Sequence, residues 1–259
     1  FHKAWAMSPS IGQLRSKERA LQAEQMFLQH AGVSSRNDLQ SLTIAEMLDV
    51  QAKLEAIPTD NFDFFTPAGG GRSLPHDIVT TAAQSPVPFV IGTNRDENRL
   101  WAALDPAQNQ LGEEHWNDLC QQTFGEHALR AKNIYEQTRP EESPWQLISS
   151  IRTDTAFRQR AQRISEQRVQ ANNKTWMYWF TWPTPVLDGI VGSCHGLDIP
   201  FAFDNLSLPR TDDLTGDGAE RAGIATRFAN EIAQFAKASE PTWPAFNLGN
   251  RQTLEINAK

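Results

Sequence analysis

Two short stretches of this sequence hold side chains able to move a proton. "GIVGSCHGLDIPFAF", residues 189–203, sets His195 between small residues and ahead of an acidic, apolar run. "RDEN", residues 95–98, places Asp96 and Glu97 directly after the apolar stretch "VPFVIGTN". A carboxylate that accepts the Nδ1–H of an imidazole fixes its tautomer and stabilises the imidazolium formed when Nε2 takes a proton. That is general-base chemistry aimed at a hydroxyl or a water. On spacing alone Asp96 and Glu97 are both open as the acid, and "RDEN" also reads as the charged first turn of a helix. A histidine in a Gly-flanked loop likewise reads as a solvated or capping residue.

Other chemistries fit less well. Cys194 and His195 are neighbours, and adjacent side chains of an extended segment diverge, which argues against a Cys–His dyad. His195 and Asp198 could both touch a metal, yet no further His or Cys lies at ligand spacing. Cys120 and Cys194 could pair, but they form no disulfide framework and no metal spacing, which favours a reducing, cytoplasmic setting. Two sequons, Asn173-Lys-Thr and Asn205-Leu-Ser, point faintly the other way. A nucleophilic serine in a G-x-S-x-G turn is missing from the sequence; its nearest approach, "SPSIG" around Ser10, lacks the first glycine and sets Pro9 beside the serine. "AGGGRS" has Ala68 where an oxyanion loop has His, and it is expected to be a surface turn. Asp154 in "TDTAF" is expected to be a helix partner. Trp101, Trp179 and Trp182 divide between lining an apolar pocket and packing the core.

The elements needed to position the acid and the histidine are legible in outline. "GQLRSKERALQAEQMFLQHAG" predicts a helix with Leu14, Leu21 and Leu28 on one face and Gly32 at its end. "TIAE", from Thr43 to Glu46, is a capping box opening a second helix. "NFDFFTPAGGGRSLP" is a Gly/Pro-rich loop. Helices are expected in "DENRLWAAL", "EEHWNDLC" and "HALRAKNIYEQ", and one long helix in "SPWQLISSIRTDTAFRQRAQRISEQRVQ", with Ala156, Phe157, Ala161 and Ile164 inward. "RAGIATRFANEIAQFAKA" carries Ala225, Phe228, Ile232, Phe235 and Ala236 at helical spacing. "VPFVIGTN", "WMYWFTW" and "QTLEIN" read as strands. Helices alternating with strands imply an α/β class with a largely parallel sheet, in which reactive groups gather beyond the carboxyl ends of the strands. The acid and the histidine follow two such ends, in the order acid then histidine.

Composition bounds the partners. With 259 residues, 39% hydrophobic, 8 Trp and 14 Phe, the chain can bury a large core. A net charge of −7 without a basic block argues against nucleic acid and acidic membrane surfaces. The apolar runs are too short to span a bilayer, and Phe1 opens without the basic and apolar regions of a signal peptide.

"FHKAWAMS", "VPFVIGTNRDENRLW", "TDTAF", "WMYWFTWPTP", "HGLDIPFAF" and "PTWPAF" occur in the order seen in type-B carboxylesterases, the cholinesterase and para-nitrobenzyl esterase group of α/β-hydrolases. From end to end the chain resembles the C-terminal half of that family. The resemblance implies the C-terminal portion, residues 1–259, of a single α/β-hydrolase domain, a parallel sheet flanked by helices. It also implies a carboxylic ester hydrolase with a Ser-Glu-His triad and no metal or organic cofactor. The family's "GTN-x-D-E" segment assigns the triad acid to Glu97 rather than Asp96, and its "HG-x-[DE]-[IL]-P-F-x-F" segment assigns the histidine to His195. The serine of "KAI-x-QSG", which supports the pair by hydrogen bonding, matches Ser8, although Pro9 stands here in place of glycine. The implied partners are a small-molecule ester and the N-terminal half of the same enzyme, whose elbow serine precedes Phe1. The strand bearing that serine is expected beside "VPFVIGTN", on the side away from "WMYWFTW". A catalytically silent adhesion relative is the alternative from another class, and an amidase or carbamate hydrolase is a further alternative on the same scaffold. Retention of both Glu97 and His195 favours the enzyme.

Overall fold

The structure is a computed structural model that describes residues 1–9, 14–57 and 65–258. It divides into two compact units, residues 11–81 and the remainder of the chain. Ser10 and the start of the "NFDFF" loop lie outside the described residues.

Strand β1 (Ala4–Met7) opens the larger unit. The smaller unit contains α1 (Lys17–Ala31) and α2 (Ile44–Glu55). Ser16 caps α1 through the Arg19 N–H, and Gly32 ends it in the left-handed conformation (φ 68°) that other residues avoid. The face of α1 differs from expectation: Ala23 is its buried residue and Leu21 is 45% exposed. The capping box forms as read, with the Thr43 N–H donating to Glu46 (2.7 Å) and the Glu46 N–H to Thr43 Oγ1 (3.3 Å). The "AGGGRS" stretch begins with a parallel bridge from Ala68 to Arg15 and continues as bends, exposed apart from Gly69.

After α3 (Ile78–Gln84) the chain builds β2 (Phe89–Asn94), α4 (Arg99–Leu104), the single turn α5 (Pro106–Asn109), α6 (Glu113–Phe124) and α7 (Ala128–Thr138). Helices α8 (Pro144–Thr153) and α9 (Gln159–Gln170) follow, then β3 (Thr175–Phe180). The last elements are α10 (Asp198–Ala202), α11 (Asp212–Thr215), α12 (Glu220–Ala238) and β4 (Thr253–Ile256). The four strands form one parallel sheet in the order β1-β2-β3-β4. Its register pairs Met7 with Gly92, Asn94 with Phe180, and Phe180 with Ile256, so all four carboxyl ends lie along one margin.

Three departures from expectation have physical reasons. The strand beside β2 is β1, supplied by this chain, so the expectation of a missing neighbour at that edge is corrected. "AWAM" is a short, alanine-rich stretch of weak β propensity, and its strand state comes from pairing with β2. The long helix is interrupted by a π-helical segment over Asp154–Arg158, closed by a hydrogen bond from the Gln159 N–H to the Asp154 carbonyl. Thr155 Oγ1 donates to the Ile151 carbonyl (2.9 Å), engaging an acceptor at the point where the turn widens. On α12 the inward set is Ile224, Ala225, Phe228 and Phe235 with half-buried Ile232; Ala236 is exposed, while Glu231 is buried and accepts from the Thr242 N–H (2.9 Å).

The main core is aromatic. Trp5 packs on Tyr178 (5.7 Å), Phe235 (5.6 Å) and Trp243 (5.9 Å), and Tyr178 on Phe228 (5.1 Å). Gly92 makes the β2–β3 contact possible, because a Cβ there would lie 2.1 Å from the Tyr178 ring. Trp182 is core rather than pocket, buried against Phe201 at 5.1 Å.

Arg168 of α9 ties the sheet to the chain entering β2. Its buried guanidinium donates to Thr175 Oγ1 (2.7 Å) and to the carbonyls of Ala82 (2.6 Å), Ser85 (3.0 Å) and Val87 (2.6 Å). Each carbonyl left without its donor costs about 1–3 kcal/mol. Arg168→Met is therefore expected to lower stability by about 3 kcal/mol or more, read from the urea midpoint at an unchanged slope.

Candidate active site

Two crossings of the sheet end at the site. β2 delivers Asn94, and the tight turn of residues 95–98 bends back so that the Asn94 N–H donates to Glu97 Oε1 (2.6 Å). β3 leads into the loop before α10, which carries His195. Glu97 Oε2 lies 2.6 Å from His195 Nδ1, joining side chains 98 positions apart in sequence. Glu97 is wholly buried, whereas the imidazole is about one-third exposed (36%). Burial without solvent strengthens the carboxylate's hold on a partner, and both Glu97 oxygens have one.

Asp96 and Glu97 are separated in role by direction. Asp96 fixes the histidine loop: its Oδ2 accepts from the Ser193 N–H (2.9 Å), and its own N–H donates to the Ser193 carbonyl (2.9 Å). Arg99 sits between Asp96 (3.2 Å) and Glu142 (2.5 Å), pairing with both acids. Gly192 (φ 58°) permits this, since a Cβ would fall 2.4 Å from the Asp96 carboxylate. Ser193 Oγ donates to the Phe180 carbonyl (2.8 Å), anchoring the loop to the end of β3.

Two aromatic rings bracket the imidazole. Trp101, 43% exposed, lies 4.8 Å from its centroid, and Phe157, presented by the π segment, 5.4 Å. Trp179 carries the Arg158 guanidinium over its face at 4.2 Å. Asp154 is a helix partner, accepting from Tyr135 Oη (2.6 Å) and Arg158 Nε (3.0 Å). Asn94, Tyr178 and Asp198 form a polar group behind the loop that carries His195: Asn94 Nδ2 donates to the Cys194 carbonyl (2.6 Å) and to Asp198 Oδ1 (3.3 Å), and Tyr178 Oη donates to Asp198 Oδ2 (3.0 Å). The signal for Asn94 was available, as a polar amide closing a buried strand. Tyr178 carried none within "WMYWFTW".

Ser8 stands apart from the expected support. It follows β1 with φ 46°, and its N–H donates to the Gly92 carbonyl (2.9 Å). Its buried hydroxyl has no hydrogen-bond partner among the described residues, so the expected bond to the acid–histidine pair is corrected. Burial pushes the Cys194 thiol up to about 12, leaving it inert beside His195. Among the described residues no group of three or more His, Cys, Asp or Glu is disposed to hold a metal ion, and no helix is long and apolar enough to cross a membrane. A cavity of about 460 Å³ in the smaller unit, lined by Leu21, Phe27 and Leu28 among others, contains none of these residues. Reactive geometry rather than concavity therefore locates the candidate site.

Comparison with known proteins gives the family and the fold. The model of the carboxylesterase family matches residues 1–259. The chain belongs to the carboxylesterase family. Its sheet and flanking helices are those of the α/β-hydrolase fold. Among curated relatives, phenmedipham hydrolase of Pseudarthrobacter oxydans is 25% identical over 282 residues, covering 99% of this chain and 54% of that protein. Para-nitrobenzyl esterase of Bacillus subtilis (strain 168) is 27% identical over 286 residues, covering 100% and 53%. Among solved structures, carboxylesterase EST55 of Geobacillus stearothermophilus superposes with a TM-score of 0.81 at 28% identity, over 100% of this chain and 55% of that one. The chain spans about half the length of the curated relatives it matches.

Electrostatics set two titrations. The hydrogen bond to Glu97 raises the His195 imidazole above its ordinary range, with burial opposing. The imidazolium is the form that gains, so Glu97→Gln should move the His195 titration to lower pH, read by NMR of the ring Cε1–H. Burial, aided by the Glu97 charge, pushes the Asp198 carboxyl up to about 6. The native state then binds a proton that the unfolded chain releases near pH 4. Asp198 contributes stability below that pH and loses it as pH rises through about 6. Asp198→Asn is expected to flatten the fall in urea midpoint over this interval, a difference of about 2–3 kcal/mol.

Proposed function

We propose that the protein hydrolyses carboxylic esters through an acyl-serine intermediate, with His195 as the base and Glu97 as its orienter. The observation that supports this reading is the 2.6 Å contact between Glu97 Oε2 and His195 Nδ1 beyond parallel strand ends. The serine belongs, on this reading, to residues preceding Phe1 in a longer polypeptide, because the 259 residues contain no G-x-S-x-G turn. That polypeptide is a single α/β-hydrolase domain of which residues 1–259 are the C-terminal portion. A cytoplasmic setting fits the two buried, unpaired cysteines.

Nδ1–H donates to Glu97, so Nε2 presents a lone pair. Nε2 takes the serine proton as the oxygen attacks the ester carbonyl, and the imidazolium is stabilised across the Glu97 contact. The imidazolium then protonates the departing alkoxide, leaving the acyl-serine. In the second half Nε2 takes a proton from water, the hydroxide attacks the acyl carbon, and the proton returns to the serine oxygen as the acid leaves. Trp101 and Phe157 keep the imidazole in place, and Trp101, the exposed ring of the two, presents apolar surface to a substrate.

In the full-length protein, His195→Ala should lower kcat for a chromogenic ester by several orders of magnitude, with KM little changed, because proton transfer and not binding is removed. Glu97→Gln should cost less. Equal kcat in wild type and both variants would exclude this function. Since Nε2 must be neutral to act, kcat/KM should rise with pH through a limb above the ordinary imidazole range, and Glu97→Gln should move that limb to lower pH.

A fluorophosphonate probe should label the full-length protein at a serine upstream of Phe1. Labelling at Ser10 would make "SPSIG" the elbow, and absence of labelling in folded protein would favour the silent binding relative.

A further inference from the structure

We propose that Asn94 is a positioning residue that locks the acid turn and the histidine loop together, held in its rotamer by Asp198 and Tyr178. The inference rests on the reading of Glu97 and His195 as orienter and base. Asn94 bonds to both halves of that pair at once. Its backbone N–H donates to Glu97 Oε1 (2.6 Å), fixing the carboxylate whose other oxygen meets the imidazole. Its side-chain amide donates to the carbonyl of Cys194 (2.6 Å), the residue immediately before His195. One residue thereby sets the distance between two segments about a hundred positions apart in sequence.

The residue type is what this task requires. Asn94 is fully buried at the end of a parallel strand, a place where packing alone selects an apolar or β-branched side chain. Burying an amide there costs free energy unless its polar atoms are matched, and Oδ1 has no partner among the described residues. The amide nitrogen compensates with two donors, one for the Cys194 carbonyl and one for Asp198 Oδ1 (3.3 Å). A carboxylate at 94 would turn an oxygen toward both acceptors, and a threonine or leucine would leave at least one of them without a donor. Tyr178 Oη holds the opposite oxygen of Asp198 (3.0 Å), so the chain Tyr178–Asp198–Asn94–Cys194 continues from the middle of β3 to the histidine. A local rule broken inside the core, at the point of contact with the reactive pair, is the pattern of a functional position.

Charges acting on the imidazole come from several elements, and they bear on any titration. Glu97 faces it from the turn after β2 and Asp198 from the start of α10. Arg158 of the π segment reaches the Asn94 carbonyl (3.4 Å) while paired to Asp154. Tyr178 and Cys194 remain neutral, both pushed up by burial. Asn94→Ala removes no charge, so a change in His195 titration reports geometry and the hydrogen bonding of Asp198.

The experiment uses the full-length protein with 13C-labelled histidine, the His195 signal being assigned from His195→Gln. Asn94→Ala should shift the His195 titration to lower pH and weaken the downfield Nδ1–H resonance. It should also lower kcat for a chromogenic ester about 10- to 100-fold, with KM within about twofold of wild type. A folded Asn94→Ala with wild-type titration and wild-type kcat would overturn the proposal, and so would a lowered urea midpoint with both of those unmoved, since that is a purely structural residue. Should Asn94→Ala fail to fold, Tyr178→Phe carries the test, with a smaller shift in the same direction; an unmoved titration there overturns it equally. A shifted titration in a protein that hydrolyses no ester would refute the proposed function while supporting the positioning role of Asn94. An ester-hydrolysing wild type with an unmoved Asn94→Ala titration would refute the positioning role alone.

Discussion

The structure turns on one short contact between a fully buried carboxylate and a partly exposed imidazole. A buried charge without a partner is costly, and a pair earns net stability only when its remaining polar atoms are also matched. Around Glu97 the matching is extensive but incomplete, Asn94 Oδ1 and the Ser8 hydroxyl having no hydrogen-bond partner among the described residues. Glu97 uses both oxygens, Asp96 clasps the Ser193 backbone in both directions, and Arg99 with Glu142 closes the charge behind it. The surrounding polar network is arranged so that two loops arrive at one point, and the aromatic core beneath supplies the stability that this arrangement consumes.

Parallel pairing is what makes two loops meet. In a parallel sheet every strand leaves at the same margin, so residues following β2 and β3 become neighbours despite the intervening helices. The register fixes how far each loop must travel: Asn94 pairs with Phe180, and the Phe180 carbonyl accepts both the Arg95 N–H (2.9 Å) and Ser193 Oγ (2.8 Å). A slip of one residue would reverse every side chain on one strand and remove this shared anchor. Gly92, where Tyr178 crosses the neighbouring strand, is part of the same constraint.

Much of this was legible before the fold was known, and the boundary has physical causes. Strands β2, β3 and β4 announce themselves by apolar or β-branched runs, and α2 by its capping box, because these signals are local. The acid and the histidine are legible because strand-end loops collect reactive groups, although choosing Glu97 over Asp96 required the family resemblance. What stayed hidden was set by tertiary pairing. β1 is too short and too alanine-rich to read alone. The π turn at Asp154–Arg158 has a helical sequence whose widening shows only in its hydrogen bonds. Ser8 was placed near the pair by motif, yet its hydroxyl orientation depends on a backbone at φ 46° that no motif specifies.

The π segment contributes to how the partly exposed imidazole is held. A regular α-helix through residues 144–170 would continue its 100° steps and carry residue 157 to a different azimuth. The wider turn adds a residue without adding a turn, shifting every side chain after it around the axis. With that shift Phe157 lies against one side of the His195 ring, while Trp101 from α4 takes another. Arg158, one residue on, lies over Trp179 and reaches back to the Asn94 carbonyl, so the same distortion serves both the aromatic bracket and the polar lock. The ring is thus confined by its neighbours and anchored through Nδ1, while among the described residues no hydrogen bond engages Nε2. A base must be fixed in orientation and still reach a proton, and confinement by apolar faces meets both demands where a second hydrogen bond would defeat one of them.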